Sequence, residues 1–163
     1  MFFFAFSSTV FAQTEDPMPE MIIELDQSGT HAPDFEFTMV DGSKKNLKDF
    51  QGQVVYLAFW ASWCKPCING FNKYRSLRNQ MDQVGVVLLN ISVDKKEDAW
   101  RKAMKELNIQ GEHAVVDRNA IQELYQLYSV PRYEIIGKKG EFLFLSDDPN
   151  RDVLANFKAF VEE

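Results

Sequence analysis

The run Val54–Trp60 (VVYLAFW) is almost continuously apolar, the mark of a strand covered on both faces rather than one. Within seven residues of its end come both cysteines of the chain, Cys64 and Cys67. The period then changes. Cys67, Phe71, Tyr74, Leu77 and Met81 recur at helical spacing until Gly85 marks a stop. Val86–Val93 follows as a second buried strand. This succession predicts a βαβ unit with a right-handed crossover, and it places the cysteine pair where the first strand hands over to the helix.

The flanking sequence supplies more of the same layers. Phe35, Phe37 and Met39 alternate with Glu36, Thr38 and Val40, the period of a half-buried strand, and Asp41-Gly42 turns it. Leu47–Phe50 reads as a single helical turn before Gly52. Trp100, Ala103, Met104 and Leu107 predict an amphipathic helix, Glu112–Val116 a short strand, and Ile121, Leu124, Tyr125 and Tyr128 a further helix. Tyr133–Ile136 and Phe142–Leu145 flank Gly137-Lys138-Lys139-Gly140 as a hairpin. Asp148-Pro149 reads as the cap and first position of a terminal helix carrying Val153, Leu154, Phe157 and Phe160. Parallel strands, a hairpin and a terminal helix make an α/β sandwich, without internal repeats or low-complexity tracts.

Charge divides the chain. Met1–Ser43 holds eight acidic residues and neither Lys nor Arg, which leaves sixteen acids against eighteen bases in the remainder. No basic stripe suggests nucleic acid. Residues 1–12 (MFFFAFSSTVFA) are apolar and end on a small residue, as at a signal-peptidase site, but are too short to span a bilayer. They read as the remnant of an export signal whose basic n-region is missing. A start codon set too far downstream would explain that gap. The reading puts the mature chain in an oxidising compartment, with residues 13–31 as an acidic linker and 32–163 as one domain.

A Cys-x-x-Cys pair opening a helix sets its first sulfur among unsatisfied backbone N–H groups at the positive end of the macrodipole. Cys64 is therefore expected to be the acidic, nucleophilic thiol, helped by Lys65, with Cys67 shielded on the buried face. Cys64 would attack a disulfide, and Cys67 would resolve the mixed disulfide. Pro66 suits the first turn, where a missing N–H costs little. As a mere staple the pair closes a loop too short to remove more than about 2 kcal/mol of unfolded-chain entropy. As a zinc half-site it needs four ligands, and only His31 and His113, distant in the sequence and unpaired, could add to it. Redox chemistry is the favoured reading of the three, with no metal and no cofactor.

The segment Phe59–Cys67 (FWASWCKPC) resembles the active-site strand and helix start of thioredoxins. The wider pattern is similar to the extracytoplasmic thioredoxin-like reductases, relatives of the cytochrome c maturation oxidoreductases. Ala32-Pro33-Asp34-Phe35, Asp41-Gly42, Leu47–Phe50, Val86–Asp94, Trp100 and the stretch from Tyr125 through Pro131 to Gly140 carry that resemblance. It implies a thioredoxin-like fold with a central mixed sheet, helices on both faces and an extra N-terminal β-hairpin. It also implies a cis Val130–Pro131 bond facing the cysteines, with the Val130 backbone and Pro131 in substrate binding. Trp63 is read as an exposed docking residue beside the nucleophile, while Trp60 and Trp100 are read as packing.

Three positions depart from the family pattern. Ala58 stands where thioredoxins bury an acid, Gly70 where the extracytoplasmic reductases often carry Glu, and Asn72 where a helix-kinking proline is common. Cys67 thus lacks the expected base. Glu134 could compensate, though a solvent-facing Glu is the favoured reading.

These features imply a periplasmic or otherwise extracytoplasmic thiol-disulfide oxidoreductase. It would act on disulfide-containing exported proteins, favour reduction, and be regenerated by a membrane-borne thiol reductant. A non-catalytic thioredoxin-fold binding or chaperone domain is the alternative. A peroxiredoxin is a weaker one, since Ala61 replaces the Thr expected three residues before a peroxidatic cysteine.

Overall fold

The computed structural model describes residues 29–146. The export-signal remnant, most of the acidic linker with its apolar stretch Met21–Leu25, and the terminal helix lie outside the described residues.

The apolar runs became the centre of the sheet. Strand β3 (Val55–Trp60) is buried at every position and lies between two partners, parallel β4 (Val87–Ser92) and antiparallel β6 (Arg132–Ile136). Strand β5 (Glu112–Val115) pairs parallel to β4, and the N-terminal hairpin β1 (Glu36–Met39) and β2 (Lys44–Asn46) adds to β5 antiparallel through β1. With β7 (Phe142–Ser146) at the far edge, the mixed sheet has seven strands in the order β2-β1-β5-β4-β3-β6-β7. This is the α/β thioredoxin fold with an extra N-terminal hairpin.

Helices α1 (Lys65–Lys73) and α2 (Arg75–Gln83) cover the face presented by Tyr56, Ala58 and Trp60. Helix α3 (Glu97–Glu106) and the short α4 (Arg118–Gln122) pack with Trp100 and Ile121 among Leu57, Phe59, Leu89 and Ile91 of the other face. Leu47–Phe50 is a 3-10 turn.

Two helical expectations needed correction. The period from Cys67 to Met81 predicted one helix, but the chain breaks at Tyr74 into α1 and α2. Gly70 and Asn72, weak helix formers, precede that break. The period through Tyr128 also overran: α4 stops at Gln122, Gln126 adopts a left-handed φ of 50°, and Leu124 and Tyr128 face solvent. Tyr125 is held inward instead, its hydroxyl donating to the Pro33 carbonyl at 2.6 Å.

Candidate active site

Strand β3 delivers the chain to the cysteines through a tethered turn. Asp94, just beyond β4, accepts from the Ser62 backbone N–H and the Ser62 hydroxyl, each at 2.8 Å, and from the Ser92 hydroxyl at 2.8 Å. Cys64 then caps α1: its backbone is extended, and its Sγ accepts the Cys67 N–H at 3.2 Å. Pro66 sits in the first turn, where no intrahelical partner for an N–H exists. Cys64 and Cys67 are joined as a disulfide, with Cα atoms 5.3 Å apart. Opening that bond would leave the Cys64 sulfur beside the same N–H groups, a setting that favours the thiolate.

Opposite lies the Val130–Pro131 segment, whose peptide bond is cis. The Val130 carbonyl oxygen is 3.6 Å from Cys64 Sγ. A disulfide sulfur has no proton to donate, so this is a van der Waals contact in the oxidised protein. Trp63, at 60% exposure, and Tyr128, at 67%, are the large exposed rings in the two segments that meet here. Lys65 is exposed on the first turn of α1. Trp63, Lys65, Pro66, Val130 and Pro131 are thus gathered around the disulfide, while Trp60 and Trp100 are core. Cys64 itself is only 3% exposed and Cys67 fully buried.

Glu134 does not face solvent as expected. It is fully buried, pairs in register with Leu57 and projects to the face away from α1, because successive strand residues alternate. Burial raises its pKa to about 8, only partly offset by Arg132, whose Nε lies 3.4 Å away. Its face also separates it from Cys67.

On the cysteine side the polar groups are different. Ala58 pairs with Asn90 in β4 and Tyr133 in β6, and Asn90 pairs with His113 in β5, so a row across four strands carries three polar side chains around Ala58. Buried Arg78 reaches this row from α2, donating to Asn90 Oδ1 at 2.8 Å and to the Gln110 carbonyl at 2.7 Å. A Cβ built on Gly70 would stand 2.8 Å from the Tyr133 hydroxyl. The helix is bare at position 70 because the phenol occupies that space. Asp94, Arg78 and Tyr133 all escaped sequence reasoning. Arg78 lies on the inner side of the α2 period, one position after Leu77, and that was the available signal. Among the described residues no cluster of three or more His, Cys, Asp or Glu is placed to hold a metal ion.

The AhpC/TSA family description matches residues 28–163. The thioredoxin-like protein YneN of Bacillus subtilis is 31% identical over 115 residues, covering 70% of this chain and 68% of that protein. The thiol-disulfide oxidoreductase ResA of Bacillus thuringiensis is 30% identical over 115 residues, covering 71% of this chain and 66% of ResA, just under two thirds of its length. The chain belongs to the AhpC/TSA family. Within it the similarity is to the thioredoxin-like thiol-disulfide oxidoreductases. Among solved structures, one described as a thiol:disulfide interchange protein DsbE from Chlorobium tepidum superposes with a TM-score of 0.73 at 25% identity, covering 82% of this chain and 97% of that one. The Cys64–Cys67 disulfide stands as the CxxC redox pair of this group, and an extracytoplasmic location agrees with these relatives. No helix among the described residues is long and apolar enough to cross a membrane.

Proposed function

We propose that the chain exchanges its Cys64–Cys67 dithiol with disulfides of exported proteins, acting as a reductase, with residues 32–163 as the functional domain. One observation carries this reading: Cys64 Sγ lies in the N-terminal cap of α1 and against the Val130 carbonyl, while Cys67 is sealed beneath it. In the reduced protein the Cys64 thiolate attacks a substrate disulfide, and one substrate thiolate departs. Cys67 then attacks Cys64 Sγ, the mixed disulfide breaks, and the second substrate thiolate leaves. Two electrons pass to the substrate, and the dithiol is restored by a thiol reductant, for which a membrane-borne donor fits an oxidising compartment.

Trp63 supplies an apolar docking ring, Lys65 favours the Cys64 anion, and Pro66 shapes the first turn. The Val130 carbonyl and Pro131 line the substrate path. A peroxidase is disfavoured because Ala61 is buried and offers no hydroxyl beside Cys64.

Insulin reduction with dithiothreitol as donor tests the assignment. Cys64→Ser is expected to abolish turnover and Cys67→Ser to accumulate a mixed disulfide through Cys64. Equal rates for wild type and Cys64→Ser would leave an inert disulfide in a binding domain.

A further inference from the structure

A buried thiol that must act as a nucleophile needs its anion stabilised by something within the fold. Cys67 has no carboxylate base on its side of the sheet at Ala58 or Gly70. What the fold places there is a cation. Arg78 is 3% exposed, its guanidinium carbon lies 5.2 Å from the Phe71 ring centre and 5.6 Å from that of Tyr56, and Phe71 follows Cys67 by one turn on the inner side of α1. Its hydrogen-bond acceptors, Asn90 Oδ1, the Gln110 carbonyl and the Tyr56 hydroxyl, are all neutral. No carboxylate among the described residues lies within ion-pair distance of it. Guanidinium does not deprotonate in proteins, so an uncompensated positive charge resides under the helix.

We propose that Arg78 is a positioning residue for thiol-disulfide exchange, the buried charge that holds the Cys67 sulfur as a thiolate once the disulfide opens. This deepens the proposed function and rests on Cys67 being the resolving thiol. Arg78 takes up no proton. The Cys67 proton leaves to solvent or to the departing substrate thiolate, and the fixed charge makes that loss easier. Tyr133 also faces Arg78, and its hydroxyl abuts Gly70 one turn from Cys67. The other ionisable groups facing Arg78 are Tyr56 of β3, His113 of β5 and Arg75 of α2. His113 is buried, and burial lowers its pKa. Glu112 of β5 faces His113, and Asp94, held by Ser62 and Ser92, is the carboxylate at the turn before Cys64.

A charge about one turn plus a side chain away, roughly 10 Å, in an effective dielectric of about 20, shifts a thiol by about one pKa unit. Thiolate absorbance in the full chain carrying Cys64→Ser reads Cys67 alone and requires no turnover, so its outcome is separate from that of the functional assignment. Burial raises the Cys67 pKa above that of a free thiol, and Arg78 is expected to offset part of that rise. Arg78→Met should raise its pKa by about one unit, while Arg78→Lys should restore most of the shift. Once pH exceeds the wild-type Cys67 pKa, Arg78→Met in the otherwise native chain should move the glutathione equilibrium several-fold towards the disulfide. If Arg78→Met does not fold, Arg78→Gln, which removes the charge but keeps hydrogen-bond donors for Asn90 and the Gln110 carbonyl, must raise the Cys67 pKa by a similar amount, and an unchanged value overturns the proposal. So does a Met variant that titrates like wild type, or a Lys variant that titrates like Met.

Discussion

Glu134→Gln isolates the cost of a carboxylate sealed in the sheet. The folded-state pKa of Glu134 is raised from 4.5 to about 8, so between those values the folded chain keeps a proton that the unfolded chain releases. Stability from this group is therefore fully present below pH 4.5 and is lost as pH rises through about 8. The slope is at most about 1.4 kcal/mol per pH unit, and the window of roughly 3.5 units limits the total to about 5 kcal/mol. Arg132 already opposes burial, and relaxation around a charged Glu134 lowers the total further. About 2–3 kcal/mol is the expected difference. Urea unfolding at half-unit steps from pH 4.5 to 9 measures it: the wild-type and Gln curves should lie close at pH 4.5 and diverge steadily up to about pH 8, with Gln more stable at pH 9. Contributions from His113 and the surface carboxylates are common to both proteins and cancel. Parallel curves, or a Gln variant less stable at pH 9, would refute the argument that burial outweighs the Arg132 pair.

Gly70→Ala should destabilise by about 1 kcal/mol, because overpacking against Tyr133 exceeds the helix-propensity gain; in a Tyr133→Phe background the same change should become neutral or stabilising in thermal melts. Asp94→Ala removes the acceptor of three hydrogen bonds and should cost about 2–3 kcal/mol in urea unfolding, with slower insulin reduction as the Ser62 turn loosens. Trp63→Ala, at an exposed position, should leave the melting temperature within a few degrees of wild type yet lower kcat/KM for protein disulfides about tenfold, with small disulfides less affected. His113 is held neutral, so stability should fall below pH 6.5 as the unfolded imidazole gains a proton first, and His113→Gln should flatten that acid limb.

Much of the frame could be read along the chain. Val54–Trp60 is apolar throughout and Val86–Val93 is broken only by Asn90 and Ser92, runs of strand length that read as interior strands. Cys64 follows one of them at the start of a helical period, which places its sulfur at a helix end whatever the rest of the molecule does. Local physics suffices for both. Other features depend on residues distant in sequence. Glu134 looked like a surface residue because a lone carboxylate carries no sign of which strands will enclose it, and only pairing with β3 and β7 buried it. The bare surface at Gly70 has its reason in Tyr133, sixty-three residues later, and Arg78 became a buried cation only when α2 folded it over Asn90. Burial and electrostatic fields are sums over neighbours, and tertiary contact alone chooses those neighbours.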